Sequence, residues 1–261
     1  MKCRICSGDT SNSYTLHSHR NGEAVQVFYC NACNAYFSAG GLTNYDNSDL
    51  IDYYLPYEQA IRHRFIKDFK FVESLITPGR FLDIGAGMGY SLEVANRRGW
   101  LATGLEPNSV LARHANSRGL NVINAYLSEE FSGEYDFILI DNVLEHILQP
   151  ADFLKIATHL LAPSGVMMVA VPPLDWLRKL LGMSGYVRDH ITVPQLNVFS
   201  EVDEHVNIFS RKAMSRLIQN SGLRLLDVRF HHSPAYDNPV FRHLYLNDGN
   251  YYATHAGNSL L

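Results

Sequence analysis

Phe81-Leu82-Asp83-Ile84-Gly85-Ala86-Gly87-Met88-Gly89-Tyr90 is the stretch whose reading decides the fold. An apolar strand, Phe81–Ile84, runs into a turn with three glycines and then into a helix over Tyr90–Arg98 that Gly99 ends. This order brings backbone close to a ligand and aims the N–H groups of a helix start at it. The spacing narrows the ligand. The glycines fall at 85, 87 and 89, whereas a dinucleotide fingerprint needs its third glycine at position 90, which is Tyr90 here. Asp83, two residues before the first glycine, would repel a pyrophosphate but suits a cationic amino-acid group. Glu106 closes the next strand, Trp100–Glu106, where its carboxylate can accept hydrogen bonds from both hydroxyls of a ribose. A cationic nucleoside fits these charges better than a dinucleotide.

Outward from this stretch the chain keeps alternating. A helix runs from Asn108 to Gly119, strands follow at Asn121–Ala125 and Tyr135–Asp141, and the Ala151–Leu161 helix carries Phe153, Leu154, Ala157, Leu160 and Leu161 on one face. Ala162-Pro163-Ser164-Gly165 turns into the apolar strand Val166–Val171. Upstream, Ile61, Phe65, Phe69, Val72 and Ile76 recur at helical steps over Tyr57–Ile76, and Thr77-Pro78-Gly79 stops that helix. Strands alternating with helices across short connections predict an α/β fold, a parallel sheet with helices on both faces. Beyond Pro172 the pattern loosens over residues 172–209, which reads as a cap over a pocket carrying Trp176, Tyr186, His190 and Phe199. A helix over Arg211–Asn220, a strand over Leu223–Phe230 and another near Val240–Leu246 complete the main domain, 57–248. Residues 249–261 read as a tail.

The four cysteines, Cys3, Cys6, Cys30 and Cys33, all precede residue 34 and form two C-x-x-C pairs. Two such turns facing each other close a tetrahedron around one Zn2+. Residues 1–40 therefore read as a zinc-ribbon-like module too small to fold without its metal, and 41–56 as a linker. The net charge of −4 argues against a strongly basic nucleic-acid binder. No apolar run approaches the length of a membrane span, and the N-terminus has no secretory h-region, so a cytoplasmic protein is expected.

Four segments together resemble the Rossmann-like (class I) S-adenosylmethionine-dependent methyltransferases, in the branch that methylates small molecules. Phe81–Gly89 resembles that family's first motif, and Gly104-Leu105-Glu106-Pro107-Asn108 its acidic second motif. Tyr135–Asp141 with Val143-Leu144-Glu145-His146-Ile147 is similar to the fourth, and Leu160–Val166 to the helix-to-strand turn that follows it. The resemblance spans residues 57–230 and implies a seven-stranded sheet. It also implies that Asp83 and the backbone of Gly85, Ala86, Gly87 and Gly89 hold the methionine part of S-adenosylmethionine. Glu106 would then take the ribose, with Pro107 near the adenine and Ala125, Tyr126 and Leu127 edging it. Asp141 and Asn142 would lie beside the sulfonium and face the acceptor, leaving S-adenosylhomocysteine as product.

A hydroxyl acceptor benefits from a base as its proton leaves. His146 and His205 are the candidates, with Glu145 beside them and His190 as a third histidine. The plain alternative is that His146 orders its loop, His205 caps the helix near Ser210, and Glu145 anchors the turn. The first functional reading is methyl transfer to a small-molecule acceptor, a hydroxyl of a saccharide, nucleotide sugar or related metabolite. The second is an RNA methyltransferase that docks through the zinc module, although residues 1–40 hold only Lys2, Arg4 and Arg20 as cations. The third is a non-catalytic assembly module. The sequence leaves the oligomeric state open.

Overall fold

The computed structural model describes residues 1–17, 23–38, 50–172, 205–232 and 246–255. The expected cap residues Trp176, Tyr186, His190 and Phe199 lie outside these. Strands β1 (Thr10–His17), β2 (Ala24–Cys30) and β3 (Ala35–Ser38) lead to helices α1 (Leu50–Tyr54) and α2 (Glu58–Val72). The main domain follows as β4 (Arg80–Ile84), α3 (Tyr90–Arg97), β5 (Leu101–Leu105), α4 (Ser109–Ser117), β6 (Val122–Ile123) and β7 (Tyr135–Asp141). It continues through α5 (Pro150–His159), β8 (Leu161–Val171), β9 (Asn207–Ile208), α6 (Arg211–Asn220), β10 (Leu223–His232) and β11 (Leu246–His255).

Seven strands form one sheet in the order β10-β11-β8-β7-β4-β5-β6. β8, β7, β4, β5 and β6 run parallel to one another, and β11 is antiparallel to both its neighbours. Period-two alternation sorts the sheet's side chains between two faces. Phe137 and Leu139 of β7 join Val166 and Met168 of β8 beneath α2, α3 and α4. Ile138 and Ile140 join Met167 and Val169 on the other face, with Leu154 of α5 and Met214 and Leu217 of α6. Both faces are covered, as a buried parallel sheet requires.

Two expectations are corrected. The segment read as a tail, 249–261, supplies most of β11, a strand inside the sheet rather than an appendage. Its sequence lacks the aliphatic run that marks β8, yet Tyr251, Tyr252, Ala253 and Thr254 are all buried. The Tyr252 hydroxyl is satisfied by donating to Asp68 of α2 at 2.9 Å. The expected linker 41–56 is helical from Leu50, and a 3-10 turn at Leu55–Tyr57 with Pro56 in its first positions leads into α2.

The cysteine segment forms a second sheet, ordered β1-β2-β3-β9. Its last strand comes from residues far along the chain, with Tyr36 opposite Ile208 and Phe37 opposite Asn207. Cys3, Ile5, Cys30, Cys33, Ala35 and Phe37 share one buried cluster with α5 and α6. The segment is therefore packed into the core of the main domain.

Candidate active site

The C-terminal ends of β4, β5 and β7 converge where an open parallel sheet binds its ligand. Gly85, Gly87 and Gly89 all have positive φ (88°, 53° and 76°), backbone that side-chain-bearing residues rarely adopt. A methyl group at Gly85 would stand 2.4 Å from Val143 Cγ2, so the glycine loop and the loop after β7 abut with no room between them. At Gly87 the same test meets nothing within 4 Å, and that side of the loop faces open space. Four amides of the loop are already engaged within the protein. Gly85 and Ala86 donate to Leu105 O at 2.8 and 2.9 Å, Gly89 donates to Ala86 O at 2.8 Å, and Gly87 donates to Glu106 Oε2 at 2.7 Å. The glycines thus provide close approach and curvature rather than a row of free donors.

Glu106 is buried and fixed at both oxygens, since Oε1 accepts from Asn108 N at 2.8 Å. Burial raises its pKa from the ordinary carboxylate value, and the two amide donors oppose the rise. Each oxygen keeps a second lone pair and can accept a further hydroxyl donor. Asp83 lies deeper. Its Oδ2 accepts from Ser91 Oγ of α3, while Oδ1 is buried without a hydrogen-bond partner. Burial pushes its pKa up to about 8; the Ser91 bond and Arg64 pull it down, and the charges of Asp141 and Glu106 push it further up. Asp83 feels the charges of Glu106, Asp141 and Arg64, and Arg64 is paired with Asp141, so the balance of charge around Asp83 suits a cation.

That guanidinium belongs to Arg64 of α2, which the sequence reading did not single out. Arg64 is buried and holds both oxygens of Asp141, Nη1 to Oδ1 at 3.1 Å and Nη2 to Oδ2. The signal was available: Arg64 and Asp68 fall between the apolar positions of α2, on the stripe that faces the sheet. Near the β6 end, Ala125 and Leu127 are half-buried and Tyr126 is 70% exposed. The neighbouring Asn124 donates from Nδ2 to the carbonyls of Glu106 and Pro107, at 2.8 and 2.9 Å.

On the far side of the glycine loop, Asn142 leaves β7 with φ 53° and enters the 3-10 turn Leu144–His146. The rings of His146 and His205 meet edge to face, centroids 4.9 Å apart, above the buried Glu145. Ligand atoms of Glu145, His146 and His205 lie within 4.8 Å of one another, a grouping able to relay a proton or to hold a divalent cation. The cap of α6 is Ser210, whose Oγ accepts from Ala213 N at 3.0 Å, so the capping role considered for His205 falls to Ser210.

The four cysteines close a second site. Cys3 and Cys33 sulfurs are 3.7 Å apart, those of Cys6 and Cys30 3.6 Å, and all four lie within 4.8 Å. These separations are far too long for disulfides. They match the edge of a tetrahedron with Zn–S bonds of about 2.3 Å, close to 3.8 Å. The two knuckles repeat one geometry. Ser7 and Asn34 each have φ 59° and donate to the carbonyl of the first cysteine of their pair, Cys3 at 2.8 Å and Cys30 at 2.7 Å. Gly8 lets the knuckles meet, because a methyl group there would stand 2.9 Å from Ala32 Cβ.

Among the described residues no helix is long and apolar enough to cross a membrane. Similarity to known proteins covers the methyltransferase-like part of the chain. A ubiquinone biosynthesis O-methyltransferase from Caulobacter sp. (strain K31) is 35% identical over 100 residues, 35% of this chain and 40% of that protein. Its counterpart from Acinetobacter baylyi is 26% identical over 181 residues, 64% of this chain and 71% of that one. The match thus spans well under half the length of the Caulobacter relative. Among solved structures, magnesium protoporphyrin IX methyltransferase from Synechocystis PCC 6803 with bound S-adenosylmethionine shares the fold (TM-score 0.51, 12% identity, 84% of this chain and 87% of that chain). So does the plantazolicin methyltransferase BamL with S-adenosylhomocysteine (TM-score 0.55, 14% identity, 80% and 91%). A family model described as "Methyltransferase domain" matches residues 57–228, from the start of α2 into β10. With the five parallel strands, the glycine loop and its two carboxylates all inside that span, the chain belongs to the methyltransferase domain family.

Proposed function

We propose that this chain transfers a methyl group from S-adenosylmethionine to a hydroxyl of a small polar acceptor, a saccharide, nucleotide sugar or related metabolite. Bound S-adenosylmethionine would supply an electrophilic methyl carbon on a cationic sulfur. The residues present fit it: Asp83 Oδ1 lacks a partner, Glu106 sits at the end of β5, and the open side of Gly87 admits a ligand against backbone. Asp83 would meet the ammonium of the methionine part, Glu106 the ribose, and residues 125–127 the adenine edge.

The paired histidines beside this loop carry the choice of a hydroxyl. S-adenosylmethionine held by Asp83, Glu106 and residues 125–127 would supply the methyl carbon to the acceptor oxygen, and the sulfur would leave with the electron pair of the carbon–sulfur bond as a neutral thioether. The hydroxyl proton passes to an imidazole of the His146–His205 pair and from there to solvent. Alignment supplies much of the rate, and the contact of Val143 with Gly85 joins the donor loop to the turn bearing His146. O-methyl transfer in the names of the curated relatives supports oxygen as the methylated atom. We assign one Zn2+ to Cys3, Cys6, Cys30 and Cys33, where thiolate ligands at tetrahedral spacing give it a structural role. The packing of this segment against α6 and β9 favours an internal role for it over a free RNA-docking arm.

Methyl-labelled S-adenosylmethionine offered with separate nucleotide-sugar, polysaccharide and RNA fractions tests the proposal. Label in a saccharide-bearing fraction is expected, and label confined to RNA would overturn it.

A further inference from the structure

The cysteine segment reaches the histidine pair through a short series of hydrogen bonds. β3 begins two residues after Cys33 and pairs with β9, and Ser38 N donates to Val206 O at 2.9 Å. Ser210 Oγ donates to Cys33 O at 2.6 Å, and Arg216 of α6 donates to Ala32 O, so the second knuckle is tied to α6 at two carbonyls. Between these ties lies Asn207, 1% exposed, with its backbone in β9 opposite Phe37. Its Nδ2 reaches the other way and donates to Leu144 O at 3.0 Å and to Ile147 O at 2.6 Å. Those two carbonyls bracket the turn that carries Glu145 and His146. Both demand a donor, which fixes the orientation of the amide. His205 stands two residues before Asn207, in the same extended segment.

We infer that the four-cysteine segment is a wall of the acceptor half of the site, and that Asn207 is the positioning residue through which it holds His146 against His205. This rests on the reading of the histidine pair given above. The physical reason is that, among the described residues, β9 is the element packed most closely on this turn. The 144–147 turn is too short to define its own geometry, and β9 has only two residues, so each is held by what it is bonded to. The knuckles in turn have little apolar mass of their own and depend on the metal for their shape. The donor half is independent of this, since its bonds run among β4, β5, α3 and the glycine loop.

The test perturbs the join at both ends in the full-length chain. Asn207→Asp keeps the size and removes the donor, and Asn207→Ser restores a smaller one. Zinc depletion with a chelator perturbs the opposite end. Affinity for S-adenosylhomocysteine is measured by calorimetry, the His146 and His205 imidazole signals by NMR, and turnover by label entering the nucleotide-sugar fraction. Expected for Asn207→Asp and for the depleted protein are unchanged affinity within about twofold, displaced signals of both imidazoles, and a kcat loss of roughly 10²-fold, the scale of a 1 Å misplacement. Asn207→Ser should recover part of that loss, and readdition of Zn2+ most of it. Imidazole signals unmoved in both perturbed proteins would overturn the inference. So would S-adenosylhomocysteine affinity falling in parallel with the signals, which marks general unfolding. The NMR measurement needs no acceptor, so a failure of the acceptor assignment is distinguishable from a failure of this coupling.

Discussion

The proposed donor and acceptor halves of the site meet at Gly85 and Val143 but are built in opposite ways. The donor half is local: Asp83, the glycine loop, Ser91 and Glu106 fall within 24 consecutive residues, on two adjacent parallel strands and the helix between them. The acceptor half joins three distant pieces, the knuckle and strand at 33–38, the turn at 144–147 and the segment 205–210. A local site can be inherited whole with its fold, whereas an assembled one can be retuned by any of its pieces. The family match covers the donor half and two pieces of the acceptor half, 144–147 and 205–210, and leaves only the knuckle segment outside.

If the halves are separable, perturbing one should leave the other working. The largest effect is expected from His146→Ala or His205→Ala, with kcat down about 10²–10⁴-fold, the usual contribution of a general base, and S-adenosylhomocysteine affinity retained. Equal losses in both quantities would show that the halves are one unit. A divalent-ion requirement that disappears with His146→Ala would instead give the cluster with Glu145 to a cation. Next in size is the metal: elemental analysis should give about one Zn2+ per chain and none for Cys30→Ser. Intact protein without metal would remove the structural role of the knuckles.

A smaller effect concerns pH. Asp83 has its pKa raised by burial to about 8, so it is largely protonated near neutrality before a cation arrives. Binding of a cationic ligand favours the ionised form, so affinity for S-adenosylmethionine should rise toward pH 8, by up to about tenfold per unit, with proton release on binding. The sign for stability is opposite. A carboxyl whose pKa is raised on folding is best accommodated below its ordinary value near 3.8 and loses that advantage as pH climbs to about 8. Asp83→Asn should therefore raise the Tm of the unliganded protein at pH 8, and a fall would contradict its burial as a neutral acid. The smallest effect is Ser210→Ala, which removes the cap of α6 and the tie to Cys33. A loss of about 1 kcal/mol in denaturant unfolding is expected.

The same contrast governs what was legible in the sequence. The strands and helices from β4 to β8 follow hydrophobic periodicity, because each buries its own stripe against the sheet. Tyr135–Asp141 and Arg211–Asn220 have the bounds read from the sequence. The strand expected near Val240–Leu246 lies almost wholly outside the described residues, and β11 from Leu246 onward was not read because its burial depends on tyrosines whose hydroxyls need partners elsewhere, as Tyr252 finds in Asp68. The four cysteines were legible from spacing alone, and His146 and His205 were each named from position near the end of β7 and before α6, but their contact with one another was not. Arg64 was legible only as a break in the buried stripe of α2, and Asn207 not at all, since an asparagine before a helix is ordinarily solvent-facing. Only the three-dimensional arrangement shows that one clamps Asp141 and the other bridges two carbonyls. The inward use of the loop amides was equally invisible, because it depends on Leu105 and Glu106 lying beside the loop on the neighbouring strand.

The central claim is that the pocket at the ends of β4 and β5 binds S-adenosylmethionine through Asp83. Calorimetric titration of S-adenosylmethionine into the parent protein and into Asp83→Ala tests it most directly. Saturable one-to-one binding by the parent, weakened at least about 10²-fold in the variant, equivalent to about 2.8 kcal/mol, is the predicted result. Equal affinity in the two proteins, or none in the parent, would contradict it.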